Sequence, residues 1–306
     1  MINDLDDIHL EIKRLASDFA TNILLPLSHE YDEKEEFPSE LLNDYKQSGF
    51  FSLIYPQQYG GINAGLMGLC ICIEELSKVD GSLALPPATS ALGAIPLILY
   101  ANDEQREKWF HSLSSGEKLA AFALTEPNAG SDAAAIETTA KKDGDYYIIN
   151  GMKHFCSSGN IAVLYVVFAK TAPEKGARGI SCFVVEKERE GFRIGRKEKK
   201  LGIRSNPTTE LYFDNVRIPK ENLIGPENFG LFILQETFDY SRPGVAAQAI
   251  GIAEGALRHT IKYLKERKQF DSPIISFQAV SHKIAELATK LEAARSFLYL
   301  VVSQMD

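Results

Sequence analysis

The hydrophobic period of this chain changes twice, and that constrains the fold more than any other feature. From residue 4 to about residue 118, apolar residues recur at helical spacing. From about 119 to 218 they fall in short runs rich in β-branched and aromatic residues, and after Pro219 helical spacing returns. In the first stretch Ile8, Ile12, Leu15, Phe19 and Ile23 form one helical stripe, with Asn3 or Asp4 placed to cap it. Residues 39–48 predict a short helix closed by Gly49, and residues 66–79 a strongly apolar helix. Asn102 with Gln105 predicts a capping box ahead of residues 106–113, and Pro86-Pro87 interrupts the helical region.

In the middle stretch, 142–145 and Asn150-Gly151 are turn signals flanking the strand 146–149. Residues 163–169, 180–185 and 211–213 read as further strands. Short strands at this spacing predict an antiparallel barrel or sandwich, not a parallel nucleotide-binding sheet. In the last stretch Pro243 ends one helix or opens the next, because an interior proline costs about 3 kcal/mol. Ile250, Leu257, Ile261 and Leu264 share one face of the following helix. The final helix carries Phe277, Val280, Ile284, Leu287, Leu291, Ala294, Leu298 and Val301 in three-four alternation, a seam that needs partner helices. Two helices cover such a seam poorly, so this part reads as an incomplete bundle. The expected fold is therefore α+β and multidomain. An N-terminal helical domain (1–118) leads to a central antiparallel β-barrel or sandwich domain (119–222), then to a partial C-terminal helical bundle (223–306).

Composition narrows the function. The chain has 41 acidic against 33 basic residues, and the basic ones are scattered, which argues against nucleic-acid binding. The densest charge run, 187–200, mixes both signs and reads as a solvated loop and strand edge. Cys70 and Cys72 sit in an apolar run as small buried residues, and their spacing points the thiols apart. No histidine spacing suggests zinc, and no dinucleotide fingerprint, phosphate loop or nucleophile elbow is present. With no signal-peptide layout and no apolar run long enough to span a bilayer, the expected location is cytoplasmic, without a membrane span.

The segment Phe122-Ala-Leu-Thr-Glu-Pro-Asn-Ala-Gly-Ser-Asp132 runs from an apolar strand into a small-residue loop carrying the Thr125 and Ser131 hydroxyls. Gly130 tolerates positive φ, and backbone N–H groups in such a loop can converge on an anion; an ordinary strand-to-loop turn is the competing reading. Thr-Glu-Pro-x-Ala-Gly-Ser-Asp resembles the flavin-binding segment of the acyl-CoA dehydrogenase family, and further segments agree in order and distance. They are Pro56-Gln-Gln-Tyr-Gly-Gly61, Glu74-Glu-Leu, and Ile149-Asn-Gly-Met-Lys-His-Phe-Cys-Ser157. After these come Lys200-Leu-Gly-Ile-Arg204, Phe213-Asp-Asn-Val-Arg-Ile-Pro219, and Asp239-Tyr-Ser-Arg-Pro243 with Arg267-Lys-Gln-Phe270 and Phe277-Gln278. Together they span essentially the whole chain.

The resemblance implies FAD. It places Phe122, Leu124, Thr125 and Gly130 at the flavin edge, with Thr125 donating to the ring and Ser131 bonding phosphate. Phe155, Cys156 and Ser157 cover the other side of the ring; the family commonly has a larger aromatic such as Trp at position 155. Arg267, Lys268, Gln269, Phe270, Phe277 and Gln278 reach the FAD of a neighbouring subunit, although Arg267 would also suit a helix C-terminus. Ser131, Asp239, Tyr240, Ser241 and Arg242 are implied contacts of the CoA thioester, with an intrahelical Asp239–Arg242 pair as the alternative. Implied partners are an acyl-CoA substrate, electron-transferring flavoprotein as acceptor, and a homo-oligomer or a second chain supplying missing helices.

In the family a Glu carboxylate removes the α-proton while the β-hydride passes to flavin N5. Most members take that Glu from a late loop, which here would lie beyond Asp306. Others take it from the position before the Arg matching Arg242, which here is Ser241. Glu236 and Glu254 read as surface helix residues. The expectation is an acyl-CoA dehydrogenase lacking its base in this chain, or a non-catalytic FAD- and acyl-CoA-binding subunit that completes another chain.

Overall fold

The computed structural model describes residues 5–306, so Asn3 and Asp4 lie outside the described residues. The helices are α1 (Asp7–Phe19), α2 (Leu25–Lys34), α3 (Leu41–Ser48), α4 (Gly65–Ser77), α5 (Leu85–Tyr100), α6 (Asp103–Ser114), α7 (Gly230–Glu266) and α8 (Gln278–Val302). The strands are β1 (Ala120–Ala123), β2 (Thr139–Asp143), β3 (Tyr146–Ser157), β4 (Leu164–Lys170), β5 (Ile180–Glu186), β6 (Phe192–Lys197), β7 (Thr208–Pro219), β8 (Leu223–Ile224), β9 (Lys268–Gln269) and β10 (Ser272–Pro273). They form two compact units: residues up to 30 with 64–84 and 242–306, and residues 31–63 with 85–241.

In the first unit Asp6 caps α1, its carboxylate accepting from His9 N at 3.0 Å. The buried stripe of α1 is Ile12 and Ala16, continuing into Ala20 and Leu24, while the expected Ile8 and Leu15 are 39% and 41% exposed. Small residues decide this, because Ala16 and Ala20 allow closer packing than the larger stripe would. A π-turn (Ala20–Leu24) precedes Pro26, which has no N–H for the Asn22 carbonyl.

Pro243 neither ends nor opens a helix; it lies inside the 37-residue α7. Two and three turns further on, the helix packs closely on the backbone of Glu74 and Lys78. A Cβ added at Gly251 would come within 2.3 Å of the Glu74 carbonyl oxygen, and one at Gly255 within 2.0 Å of that of Lys78. The seam of α8 is also rotated from its expected position. Leu291 and Leu298 are buried, but Arg295, Tyr299 and Val302 are buried with them, and Leu287 is 47% exposed. Arg295 and Tyr299 turn inward because both reach the Glu74 carboxylate, at 2.7 and 2.9 Å. Finally, Asp306 caps α4 from far along the chain, accepting from Leu66 N at 2.7 Å and Met67 N at 2.8 Å.

In the second unit Gly49 closes α3 at φ 75°, and Asn102 and Gln105 form the expected capping box on α6. Pro86 and Pro87 sit in the first turn of α5, where their missing N–H groups cost nothing. The sheet runs β6-β7-β3-β2-β4-β5-β8, with β1 beside β4. Most pairs are antiparallel, but β1–β4 and β2–β4 are parallel, and the path stays open. Both faces of β4 and β5 are buried. Leu164, Val166 and Phe168 share one core with Leu97 of α5 and Trp109 of α6, while Tyr165, Val167 and Phe183 share another with Ile149, Leu211 and Phe213. The sheet thus curls far enough to bury its own inner face.

Candidate functional site

β1 delivers the chain to residues 124–132. Leu124 is buried, and the Phe122 ring packs 5.3 Å from Phe168 and 6.0 Å from Phe238. Glu126 and Ala129 then pair across a two-residue turn at Pro127 and Asn128. Gly130 does not adopt the positive φ that its identity allows. A Cβ there would meet nothing within 4 Å, so the backbone is open, and the neighbouring Ser131 is exposed.

This loop is fixed from beneath by a buried ion pair. Lys153, fully buried on β3, donates to Glu126 Oε1 at 2.6 Å and to the Leu124 carbonyl at 3.0 Å. Glu126 also accepts from Glu137 N at 2.5 Å and Thr138 N at 3.1 Å. Burial pushes the Glu126 carboxyl up, but the Lys153 charge and these hydrogen bonds outweigh it and hold the group below its ordinary range. For Lys153 burial wins, drawing the ammonium down to about 8 against the opposing pull of Glu126.

The β3 strand is irregular where it passes this loop. Its register on β7 shifts between Lys153 and Cys156, and Phe155 adopts φ 54° with its ring 57% exposed. A bulky side chain at positive φ is strained, and a bulge is a usual means of re-aiming one. His154 N donates to the Thr125 carbonyl at 2.7 Å, tying the hairpin to the loop strand. Cys156 turns inward: its thiol donates to the Phe122 carbonyl at 3.4 Å, and burial raises its pKa to about 12. Ser157 is half-buried. Ser158 (φ 58°) is buried, bonded to Thr89 at 2.9 Å and Asn206 at 3.2 Å.

The His154 imidazole lies between two carboxylates, with Nε2 at 2.9 Å from Glu198 and 3.6 Å from Glu210. These three groups offer ligand atoms within 4.8 Å of one another, but Arg196 already approaches the carboxylates at 3.2 and 3.6 Å and meets their charge.

The other expected residues sit on two further elements. β9 and β10 form a hairpin whose turn residues Phe270 and Asp271 both have positive φ, as a type I′ turn requires. This hairpin gathers Arg267, Lys268, Gln269 and Phe270, with the Phe277 ring 6.2 Å from that of Phe270 and Gln278 opening α8. Asp239, Tyr240 and Arg242 are exposed on α7, and Ser241 donates to the Phe238 carbonyl at 3.4 Å. Of the two glutamates read as surface residues, Glu236 is exposed and accepts from Tyr100 at 2.5 Å. Glu254 is buried instead, paired with Lys78 at 3.2 Å and with Arg258 and Arg295. It lies at a cleft of about 510 Å³ whose lining charges pair with one another.

Sequence reasoning passed over the Glu126–Lys153 pair and the His154–Glu198–Glu210 cluster. The first had a signal: Lys153 has the same strand parity as the inward Tyr147 and Ile149. Glu198 lay in the charge run read as solvent-facing.

Along the chain, helices precede and follow an open, curled sheet, a helical–β–helical architecture. Family models described as the acyl-CoA dehydrogenase N-terminal, middle and C-terminal domains match residues 6–117, 121–216 and 228–306. A caffeyl-CoA reductase–Etf complex subunit from Acetobacterium woodii is 43% identical over 298 residues, covering 96% of this chain and 78% of that protein. The solved butyryl-CoA dehydrogenase from Megasphaera elsdenii superposes with TM-score 0.96 at 38% identity, over 99% of this chain and 80% of that one. A structure described as the FAD complex of PigA matches with TM-score 0.93 at 29% identity, over 99% and 80%. The chain belongs to the acyl-CoA dehydrogenase family.

Proposed function

We propose that this chain forms the flavin- and thioester-binding part of an FAD-dependent acyl-CoA dehydrogenase, which removes hydrogens from the α and β carbons of an acyl-CoA. The observation that carries the reading is the β3 hairpin. Its bulge and left-handed backbone hold Phe155 outward, and His154 N ties it to the strand leading to the open Gly130–Ser131 loop. A flat apolar ring and an open small-residue loop suit a planar ring system carrying phosphates. When bound, FAD supplies the hydride acceptor at N5 of its ring.

The chain's own residues position and bind. Thr125 donates to the ring edge, with Phe122, Leu124 and Gly130 shaping that edge, and Ser131 bonds phosphate. Phe155 covers the ring face beside the Ser157 hydroxyl. Cys156 acts through its backbone, because its thiol points inward. Arg267, Lys268, Gln269, Phe270, Phe277 and Gln278 present polar and aromatic groups to the FAD of a neighbouring subunit in an oligomer. Ser131, Asp239, Tyr240, Ser241 and Arg242 contact the CoA thioester. The reading includes electron-transferring flavoprotein as acceptor, which the Etf-complex relative supports, and a cytoplasmic location. Among the described residues no helix is long and apolar enough to cross a membrane.

No base is assigned within residues 5–306. Ser241 donates to the backbone, Glu236 accepts from Tyr100, and Glu254 is held among three cations. This favours a base on a further segment, and it also supports a second reading, a non-catalytic binding subunit. The test mixes the FAD-loaded chain anaerobically with a series of acyl-CoA thioesters, with and without the C-terminal segment of a relative. Bleaching of the flavin's visible absorbance only with that segment supports the enzyme. Thioester binding without bleaching in either case supports the binding subunit, and failure to take up FAD refutes both.

A further inference from the structure

We propose that His154, clamped by Glu198 and Glu210, is a positioning residue that holds the Phe155 ring in its outward orientation at the flavin site. The inference rests on the flavin-binding reading above.

Phe155 needs such support. Its φ of 54° is a conformation that bulky residues rarely adopt, and such strain persists only where surrounding contacts over-determine it. Its ring is 57% exposed, so core packing supplies little of that restraint. What touches it is the imidazole of His154, nearly parallel at an interplanar angle of 20° with centroids 4.0 Å apart. Adjacent residues on a regular strand point to opposite faces; the bulge between Lys153 and Cys156 is what lets these two rings stack.

His154 is itself fixed at two points, its backbone and Nε2. Its backbone N–H is bound to Thr125 O at 2.7 Å, and Nε2 meets Glu198 at 2.9 Å with Glu210 at 3.6 Å. Those carboxylates have their own supports. Glu198 bonds Arg196, and Glu210 accepts from the Tyr212 hydroxyl at 2.9 Å and from Arg196 N at 3.3 Å. Both acids lie at the junction of β6 and β7, whose register also shifts, between Ile194 and Lys197. A chain of contacts thus runs from that edge through the imidazole to an exposed ring. A histidine held only for fold stability would not need its flat face against an exposed aromatic.

The test places para-fluorophenylalanine at position 155 and records its fluorine NMR signal in the flavin-free chain. In the parent a single narrow line is expected, displaced from the unfolded-chain position by the neighbouring imidazole. His154→Leu should move that line most of the way back, with the fold retained by circular dichroism. Glu198→Gln with Glu210→Gln should broaden or split it, which keeps the test alive should the leucine variant not fold. With FAD added, the visible circular dichroism of the bound flavin should change in both variants while FAD content holds. An unmoved fluorine line in every folded variant overturns the clamp. An altered line with unchanged flavin dichroism overturns the positioning role. If the parent takes up no FAD, the flavin reading fails and takes the positioning role with it, whatever the fluorine line shows.

Discussion

Removing one partner of the Glu126–Lys153 pair should cost far more than removing both. The Lys153 side chain is fully buried and that of Glu126 is 5% exposed, so neither stranded charge can reach water without opening the sheet. In Lys153→Met, Glu126 keeps its bonds from Glu137 N and Thr138 N but loses its cation, and the Leu124 carbonyl loses its donor. Breaking a buried pair this way costs about 3–5 kcal/mol. In Glu126→Gln with Lys153→Met no charge remains; because Glu137 N and Thr138 N bond different carboxylate oxygens, the single amide oxygen keeps one of the two, and the part of the loss due to the stranded charge should return. Urea unfolding of the parent, both single variants and the double variant measures each stability, and the cycle gives the coupling.

The pair also sets a pH signature. The folded pKa of Lys153, about 8, lies below its ordinary 10.5, so between these values the unfolded chain binds more protons and stability should rise with pH. For Glu126, held below 4.5, stability is present above that value and is lost as pH falls through the lowered folded pKa. Both slopes should vanish in the double variant. Single variants no less stable than the double, or an unchanged alkaline slope in Lys153→Met, would refute the argument.

Three further outcomes follow from the site and the first unit. Ser131→Ala should weaken FAD retention by about 1.5–3 kcal/mol if the hydroxyl bonds a charged phosphate, while Thr289→Ala on the exposed side of α8 should not; equal retention by equilibrium dialysis would remove Ser131 from the phosphate site. Glu254→Gln should flatten the acid limb of the stability profile, because the Lys78 and Arg295 charges outweigh burial and hold that carboxyl below 4.5; acid titration followed by circular dichroism reads the slope. Leu291→Lys should unfold the first unit, since Leu291 is buried, whereas Leu300→Lys, on a residue 47% exposed, should only reduce concentration-dependent light scattering. Two lysines behaving alike would contradict the rotated seam.

What could be read from the sequence was whatever depends on local chemistry. The Asn102–Gln105 box and the Gly49 cap each involve residues a few positions apart, and both are present. The curl of the sheet was partly visible in the double burial of β4 and β5, whose continuous apolar runs allow two covered faces. The misplacements came from partners distant in sequence. Leu15 has the right spacing for the core of α1, yet Ala16 is buried because close packing favours the smaller residue. Glu254 looks like a solvent-facing helix residue until α8 brings Arg295 to it. At the candidate site, the small-residue loop and Phe155 stood out as motifs, but no pattern joins His154 to Glu198 and Glu210 across three strands.

The Asp306 cap on α4 bears on how the protein is made. Leu66 N and Met67 N wait for an acceptor 240 and 239 residues further along the chain. The unit they belong to draws on three separated stretches, whereas everything the second unit requires has been synthesised by residue 241. A chain leaving the ribosome can therefore complete the sheet-bearing unit while the apolar α4 still lacks α8 and its N-terminal acceptor. Such long-range closure is slow, and it leaves the waiting surface open to aggregation. On the ribosome the order of assembly runs opposite to the order of the N-termini: the unit that begins first finishes last.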